Sequence, residues 1–185
     1  MGEITFLIGG ARSGKSTLAV RLGHEHAQRE RGRVTVIATA VAFDEDLRAR
    51  IQRHRDERPA WPTVEEPIDL AGAISSAPDD DLLIIDCLTV WVATMMHHDR
   101  MIDATAVADA LSRRAGPAVV ISNEVGLGIV PDNELSRVYR DELGRVNQLI
   151  ARTAQRTMLM LAGMALPLQS IDDVLATTAH DQEEA

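Results

Sequence analysis

The chain has 185 residues, 45% of them apolar, which suits one compact α/β domain with a single core. A formal net charge of −9 provides no global basic field for nucleic acid or an anionic membrane, and 3% aromatic content is too little for a base-stacking platform, so anion binding falls to local arginine clusters. One cysteine, Cys87, excludes an internal disulfide and a cysteine metal cage and fits a reducing cytoplasm. No apolar run reaches transmembrane length, and no secretory signal is visible before the first strand.

Ile4-Thr5-Phe6-Leu7-Ile8 is an apolar, β-rich run that leads into Gly9-Gly10-Ala11-Arg12-Ser13-Gly14-Lys15-Ser16, the spacing of a phosphate-binding loop. Lys15 is the only lysine in the chain, and the other eighteen basic positions are arginine. Glycines let backbone N–H groups point inward, while the ammonium supplies a compact charge for β- and γ-phosphates and the Ser16 hydroxyl a ligand for Mg²⁺. Ser16 to Arg29 reads as a helix, whose N-terminal dipole favours an anion. A plain glycine turn between strand and helix is the bland alternative, but strand, loop and helix stand in the order that phosphate binding requires.

Further strands are expected at Arg33 to Ala38, at Leu82 to Ile85 running into Asp86, and at Ala118 to Ile121 ending at Ser122-Asn123-Glu124. Thr157 to Leu161 and Ala165 to Leu168 suggest a closing pair around Gly163. Helical patterns fall at Asp44 to Glu57, Pro67 to Ser76, Ala104 to Ala115 and Asn133 to Gln155. Short unbroken apolar strands alternating with helices imply a P-loop NTPase-like α/β fold: a mostly parallel sheet flanked by helices, with a C-terminal strand pair. Residues 1–170 then form a single nucleotide-binding catalytic domain, and 171–185 a loosely ordered acidic tail. Right-handed crossovers bring Gly9, Thr39, Asp86 and Ser122 to one edge of the sheet.

Asp86 follows four aliphatic residues, as a Mg²⁺-holding acid does in phosphate-loop enzymes; its other reading is a helix cap for the segment near Leu88. In the Asp44 to Trp61 stretch, Leu47, Ile51 and His54 share a helical face, and Arg50, Arg53, Arg55 and Arg58 surround the histidine. By composition this is a solvated charged helix with an incidental histidine. An imidazole among guanidiniums also suits a phosphoryl or nucleotidyl acceptor, because positive neighbours keep it neutral and screen the phosphate it attacks.

Asn123 to Pro131 contains two glycines and reads either as a tight surface turn or as a substrate-contacting loop at a strand end. Leu135, Val138, Tyr139, Leu143, Val146, Leu149 and Ile150 form a core stripe flanked by Arg137, Arg140 and Arg145. His24, His26, His97, His98 and His180 show no ligand spacing.

The phosphate loop, the Ile37-Ala38-Thr39-Ala40 strand end, the Arg50-Ile51-Gln52-Arg53-His54-Arg55 helix and Trp61-Pro62-Thr63-Val64-Glu65 occur in one order. Asp86-Cys87-Leu88-Thr89, the Ser122 to Pro131 run and Arg140 to Gln148 follow. Together they resemble the bifunctional adenosylcobinamide kinase/adenosylcobinamide-phosphate guanylyltransferase family of cobalamin biosynthesis, over about residues 4 to 168. The resemblance implies phosphorylation of adenosylcobinamide by ATP or GTP, then GMP transfer from GTP through a histidine to the new phosphate, releasing pyrophosphate. It places the guanylylated histidine at His54 and nucleotide contacts at Gly9, Gly10, Ala11, Arg12, Ser13, Gly14, Lys15 and Ser16. Further contacts fall at Thr39, Ala40, Val41, Arg55, Asp56, Glu57, Arg58, Glu65 and Asp86, with Glu66 the substitute should Glu65 be displaced by one position. Mg²⁺ falls to Ser16 and Asp86, and the resemblance also implies a homotrimer with sites between subunits.

Two other readings compete, besides a structural interaction protein with a degenerate loop, which the intact loop disfavours. A single-function small-molecule kinase would leave His54 a surface residue. A GTPase-like switch would need a guanine-reading Asn-Lys-x-Asp motif, for which no second lysine exists.

Overall fold

A computed structural model describes residues 2–29, 32–40 and 58–176. Seven strands, β1 (Ile4–Gly9), β2 (Val34–Ala38), β3 (Thr63–Glu65), β4 (Leu82–Asp86), β5 (Ala118–Asn123), β6 (Arg156–Leu161) and β7 (Met164–Leu168), form one sheet in the order β3-β2-β4-β5-β1-β6-β7. Every pairing is parallel except β6 with β7, which closes the sheet as the expected C-terminal hairpin. The helices are α1 (Lys15–Ala27), α2 (Leu70–Ser76), α3 (Leu88–His97), α4 (Ala104–Arg113) and α5 (Glu134–Thr153).

The central strands are buried on both faces, which is why their sequences read as continuous apolar runs rather than alternating ones. Successive side chains point to opposite faces. Phe6, Ile37, Leu83, Ile85 and Val120 pack with Trp91, Leu111, Leu143 and Ile150 of α3, α4 and α5. Leu7, Val36, Ile84, Val119 and Ile121 pack with Ala19 of α1, and Trp61 leans on that cluster. Three of the helices are started by a side chain that accepts a backbone N–H: Asp69 for α2, Asp103 for α4 and Asn133 for α5.

One element, β3, was not legible in the sequence, and another, α3, showed only as a possible helix start near Leu88. β3 is three exposed residues with no apolar run, and it exists because it pairs with β2. α3 is apolar nearly all round, so it shows no helical period. One part of the expected core stripe is corrected. Leu143, Val146 and Ile150 are buried, but Leu135 and Val138, near the start of α5, are 70% and 45% exposed among the described residues. Residues 171–176 form a short exposed helix in which Ser170 Oγ and Asp173 exchange hydrogen bonds. No helix among the described residues is long and apolar enough to cross a membrane.

Candidate active site

The carboxyl ends of β3, β2, β4, β5 and β1 lie side by side and bring Glu65, Ala38, Asp86, Asn123 and Gly9 to one edge, as the crossover argument requires. With neighbouring strands about 4.8 Å apart, Gly9 and Asp86 are separated by two spacings, roughly 10 Å, and Gly9 and Glu65 by four, roughly 19 Å.

The phosphate loop runs from the end of β1 into α1. Gly14 occupies the helix cap with φ 102°, a conformation that penalises any side chain, and Arg12 is also left-handed at φ 56°. Such alternation turns consecutive N–H groups into one concavity. Lys15 is buried, and its Nζ donates to Gly9 O at 2.9 Å, Gly10 O at 2.7 Å and Ser13 Oγ at 3.4 Å. The ammonium is thus pinned over the loop it serves, with no long side chain left to order when an anion arrives. Burial lowers its pKa, while Cys87 and Asp86 pull it back up, which places Asp86 within electrostatic reach of the loop lysine.

Neighbouring elements brace the loop in ways the sequence did not reveal. Glu124 N donates to Gly9 O at 3.1 Å, and Gly163 N, in the β6–β7 turn, donates to Ser13 O at 2.9 Å.

Asp86 ends β4 on the α1 face of the sheet, since it follows Leu82 and Ile84 at two-residue spacing. The cap position of α3 is Cys87, not Asp86, so the cap reading of Asp86 is not what is seen. A strand-end carboxylate on the same face as Ser16 is a hard-oxygen pair suited to Mg²⁺ held partly through water. Cys87 is no nucleophile at neutral pH: burial and the Asp86 charge push its thiol up to about 11.

Thr39 is fully buried, and its hydroxyl donates to Cys87 O at 2.7 Å and accepts from Cys87 N at 3.0 Å. The Thr39 hydroxyl therefore fixes the backbone at Cys87. Of the adjacent acids, Glu66 accepts from Ile68 N and Asp69 N at 2.9 and 2.8 Å. Its carboxylate is committed to the turn before α2, whereas Glu65 is exposed at the end of β3, in register with Ala38. Arg58 Nη2 donates to Thr63 Oγ1 at 3.2 Å, beside that strand. Val41, His54, Arg55, Asp56 and Glu57 lie outside the described residues. Among the described residues, no group of three or more His, Cys, Asp or Glu side chains gathers as a metal cage.

Residues 5–168 match the cobinamide kinase / cobinamide phosphate guanyltransferase family. The chain belongs to that family. Similar curated members include the bifunctional adenosylcobalamin biosynthesis protein CobP of Pseudomonas aeruginosa, 42% identical over 88% of this chain and 95% of that one. CobU of Salmonella typhimurium is 36% identical over 87% of this chain and 97% of its own length. Among solved structures, the flagellar accessory protein FlaH from Methanocaldococcus jannaschii aligns with TM-score 0.53 at 14% identity, over 91% of this chain and 78% of that one. That likeness speaks to the shared fold alone.

Proposed function

We propose that this chain phosphorylates adenosylcobinamide with ATP or GTP and then transfers GMP from GTP, through His54, to the new phosphate. The observation that carries the reading is a complete phosphate loop, with its buried lysine pinned at 2.7–2.9 Å to two loop carbonyls, in a chain of the cobinamide kinase / cobinamide phosphate guanyltransferase family.

In the first step, the aminopropanol hydroxyl oxygen bonds to the γ-phosphorus as the β,γ-bridging bond breaks. The nucleoside diphosphate departs with the electron pair, and the hydroxyl proton passes to solvent. Lys15 and the loop N–H groups offset charge on the transferring oxygens. In the second step, the His54 imidazole nitrogen bonds to the α-phosphorus of GTP and pyrophosphate leaves. A cobinamide phosphate oxygen then displaces the imidazole, giving adenosyl-GDP-cobinamide and restoring the histidine. Ser16 and Asp86 would hold Mg²⁺, which when bound neutralises charge on the nucleotide phosphates.

The roughly 19 Å edge from Gly9 to Glu65 suits a nucleoside triphosphate laid across the strand ends, phosphates over the loop and nucleoside toward Ala40, Arg58 and Glu65. The self-association expected of the family, as a homotrimer, is supported by an apolar edge: Leu161, Met164, Leu166 and Ile171 are 59–79% exposed on the β6–β7 hairpin and the following helix. A cytoplasmic location follows from the same biosynthetic reading.

The test is covalent labelling. Incubation with α-³²P-GTP and Mg²⁺ should leave acid-labile, alkali-stable label on the protein, and His54→Asn should remove it while ATP-dependent phosphorylation continues. A labelled His54→Asn protein would remove the histidine assignment and leave an ordinary kinase.

A further inference from the structure

Beside the phosphate loop, the backbone of Asn123 is gripped from two sides. Asn123 N donates to Thr89 Oγ1 at 2.7 Å, and Asn147 Nδ2 donates to Asn123 O at 3.1 Å. Thr89 is itself fixed, because Tyr139 Oη donates to its carbonyl at 3.2 Å. Thr89 lies in the first turn of α3, and Tyr139 and Asn147 lie two turns apart on α5, so two helices converge on one peptide at the end of β5.

That peptide stands in register with Gly9, and the next residue, Glu124, bonds Gly9 O. Alternation along β5 puts the Asn123 side chain on the face of Val119 and Ile121, the face that carries α1 and Asp86. β5 lies between β1, which leads into the phosphate loop, and β4, which ends at Asp86, so a carboxamide on that face would stand near a γ-phosphoryl group held by the loop.

Asn147 is 6% exposed, and its Oδ1 has no partner among the described residues. An apolar side chain of the same shape would fill that place without an unpaired oxygen, so packing does not explain an asparagine there. Its amide is needed for the bond to Asn123.

We propose that Thr89 and Asn147 are positioning residues for phosphoryl transfer: they lock the Asn123 backbone so that its carboxamide stays beside the phosphate loop and hydrogen-bonds the transferring γ-phosphoryl group. The inference rests on the kinase half of the proposed function and adds the acceptor-side geometry to it. It assigns Asn123 contact with the reacting group, and assigns Thr89 and Asn147 an effect only through Asn123.

The experiment measures ATP-dependent phosphorylation of adenosylcobinamide by the full chain, at a temperature where circular dichroism shows every variant folded. Thr89→Val keeps the shape and removes the acceptor, and it should lower kcat about tenfold to a hundredfold with the KM for ATP within about twofold of wild type. Thr89→Ser should restore the rate. Asn147→Leu reaches the same peptide from the other helix and should show the same split. Asn123→Ala should lose as much as Thr89→Val, and the double variant should lose no more than Asn123→Ala alone, because the clamp has nothing left to place.

Additive losses, a Thr89→Ser as slow as Thr89→Val, or a Thr89→Val at wild-type rate would overturn the clamp while leaving the kinase reading intact. A wild-type chain that makes no cobinamide phosphate would overturn both.

Discussion

Trp61 occupies the space left by the missing side chain of Gly23. A Cβ there would stand 2.4 Å from Trp61 Cη2, and the His24 ring closes edge-on at 5.5 Å between centroids. The indole thus fastens the segment that leads into β3 onto α1, the helix that follows the phosphate loop. His54 is only seven residues before Trp61 in the chain.

Gly23→Ala should separate the two activities. Alanine gains about 1 kcal/mol of helix propensity over glycine, while forcing the indole aside costs about 1–3 kcal/mol, so the melting temperature should fall by no more than about 8 °C. GTP-dependent labelling of the protein should fall further than phosphorylation of adenosylcobinamide, since Trp61 is only seven residues from His54 in the chain. Equal losses in both assays would contradict this.

Lys15→Ala should lower kcat/KM of phosphorylation about 10²–10³-fold, the size expected when one preorganised donor to a charged transition state is removed. Lys15→Arg should not rescue it. The ammonium sits among Gly9 O, Gly10 O and Ser13 Oγ, a compact nest that a planar guanidinium does not match. Steady-state kinetics with thermal melts of both variants checks the claim, and an active Lys15→Arg enzyme would count against it.

Asp86→Asn keeps size and removes charge. If the carboxylate steadies Mg²⁺ through water, the Mg²⁺ concentration for half-maximal phosphorylation should rise about tenfold to a hundredfold, with partial recovery of rate at saturating Mg²⁺. An unchanged Mg²⁺ titration would take Asp86 out of the metal site.

Alkaline pH should weaken the fold through Cys87. Its thiol is raised from 9.0 to about 11 by burial and by the Asp86 charge. Above about pH 9 the unfolded chain ionises this thiol while the folded chain retains the proton, so stability present below that pH is lost progressively up to about 11. Tyr139, raised to about 12 by burial, extends the decline. Melting temperatures should therefore drop between pH 9 and 11, and Cys87→Ala should flatten the drop. A variant with the wild-type pH profile would show that the thiol does not titrate as stated.

The sequence by itself determined the parallel sheet and the identity of its phosphate loop. Ile4 to Ile8, Leu82 to Ile85 and Ala118 to Ile121 are apolar without interruption because both faces of those strands are buried, and the spacing from Gly9 to Ser16 is a local property that needs no tertiary partner. The hairpin around Gly163 was legible for the same local reason.

What only the tertiary structure decided is which polar groups are spent on architecture. Glu66 gives its carboxylate to the turn before α2. Thr39 sits beside the site but gives its hydroxyl to Cys87, and Thr89 and Asn147, 58 positions apart in the chain, meet on the backbone of Asn123. Hydrogen bonds between residues so distant in sequence have no period and no spacing; they exist because a crossover topology stacks strand ends and helix starts at one edge, and folding alone brings that edge together.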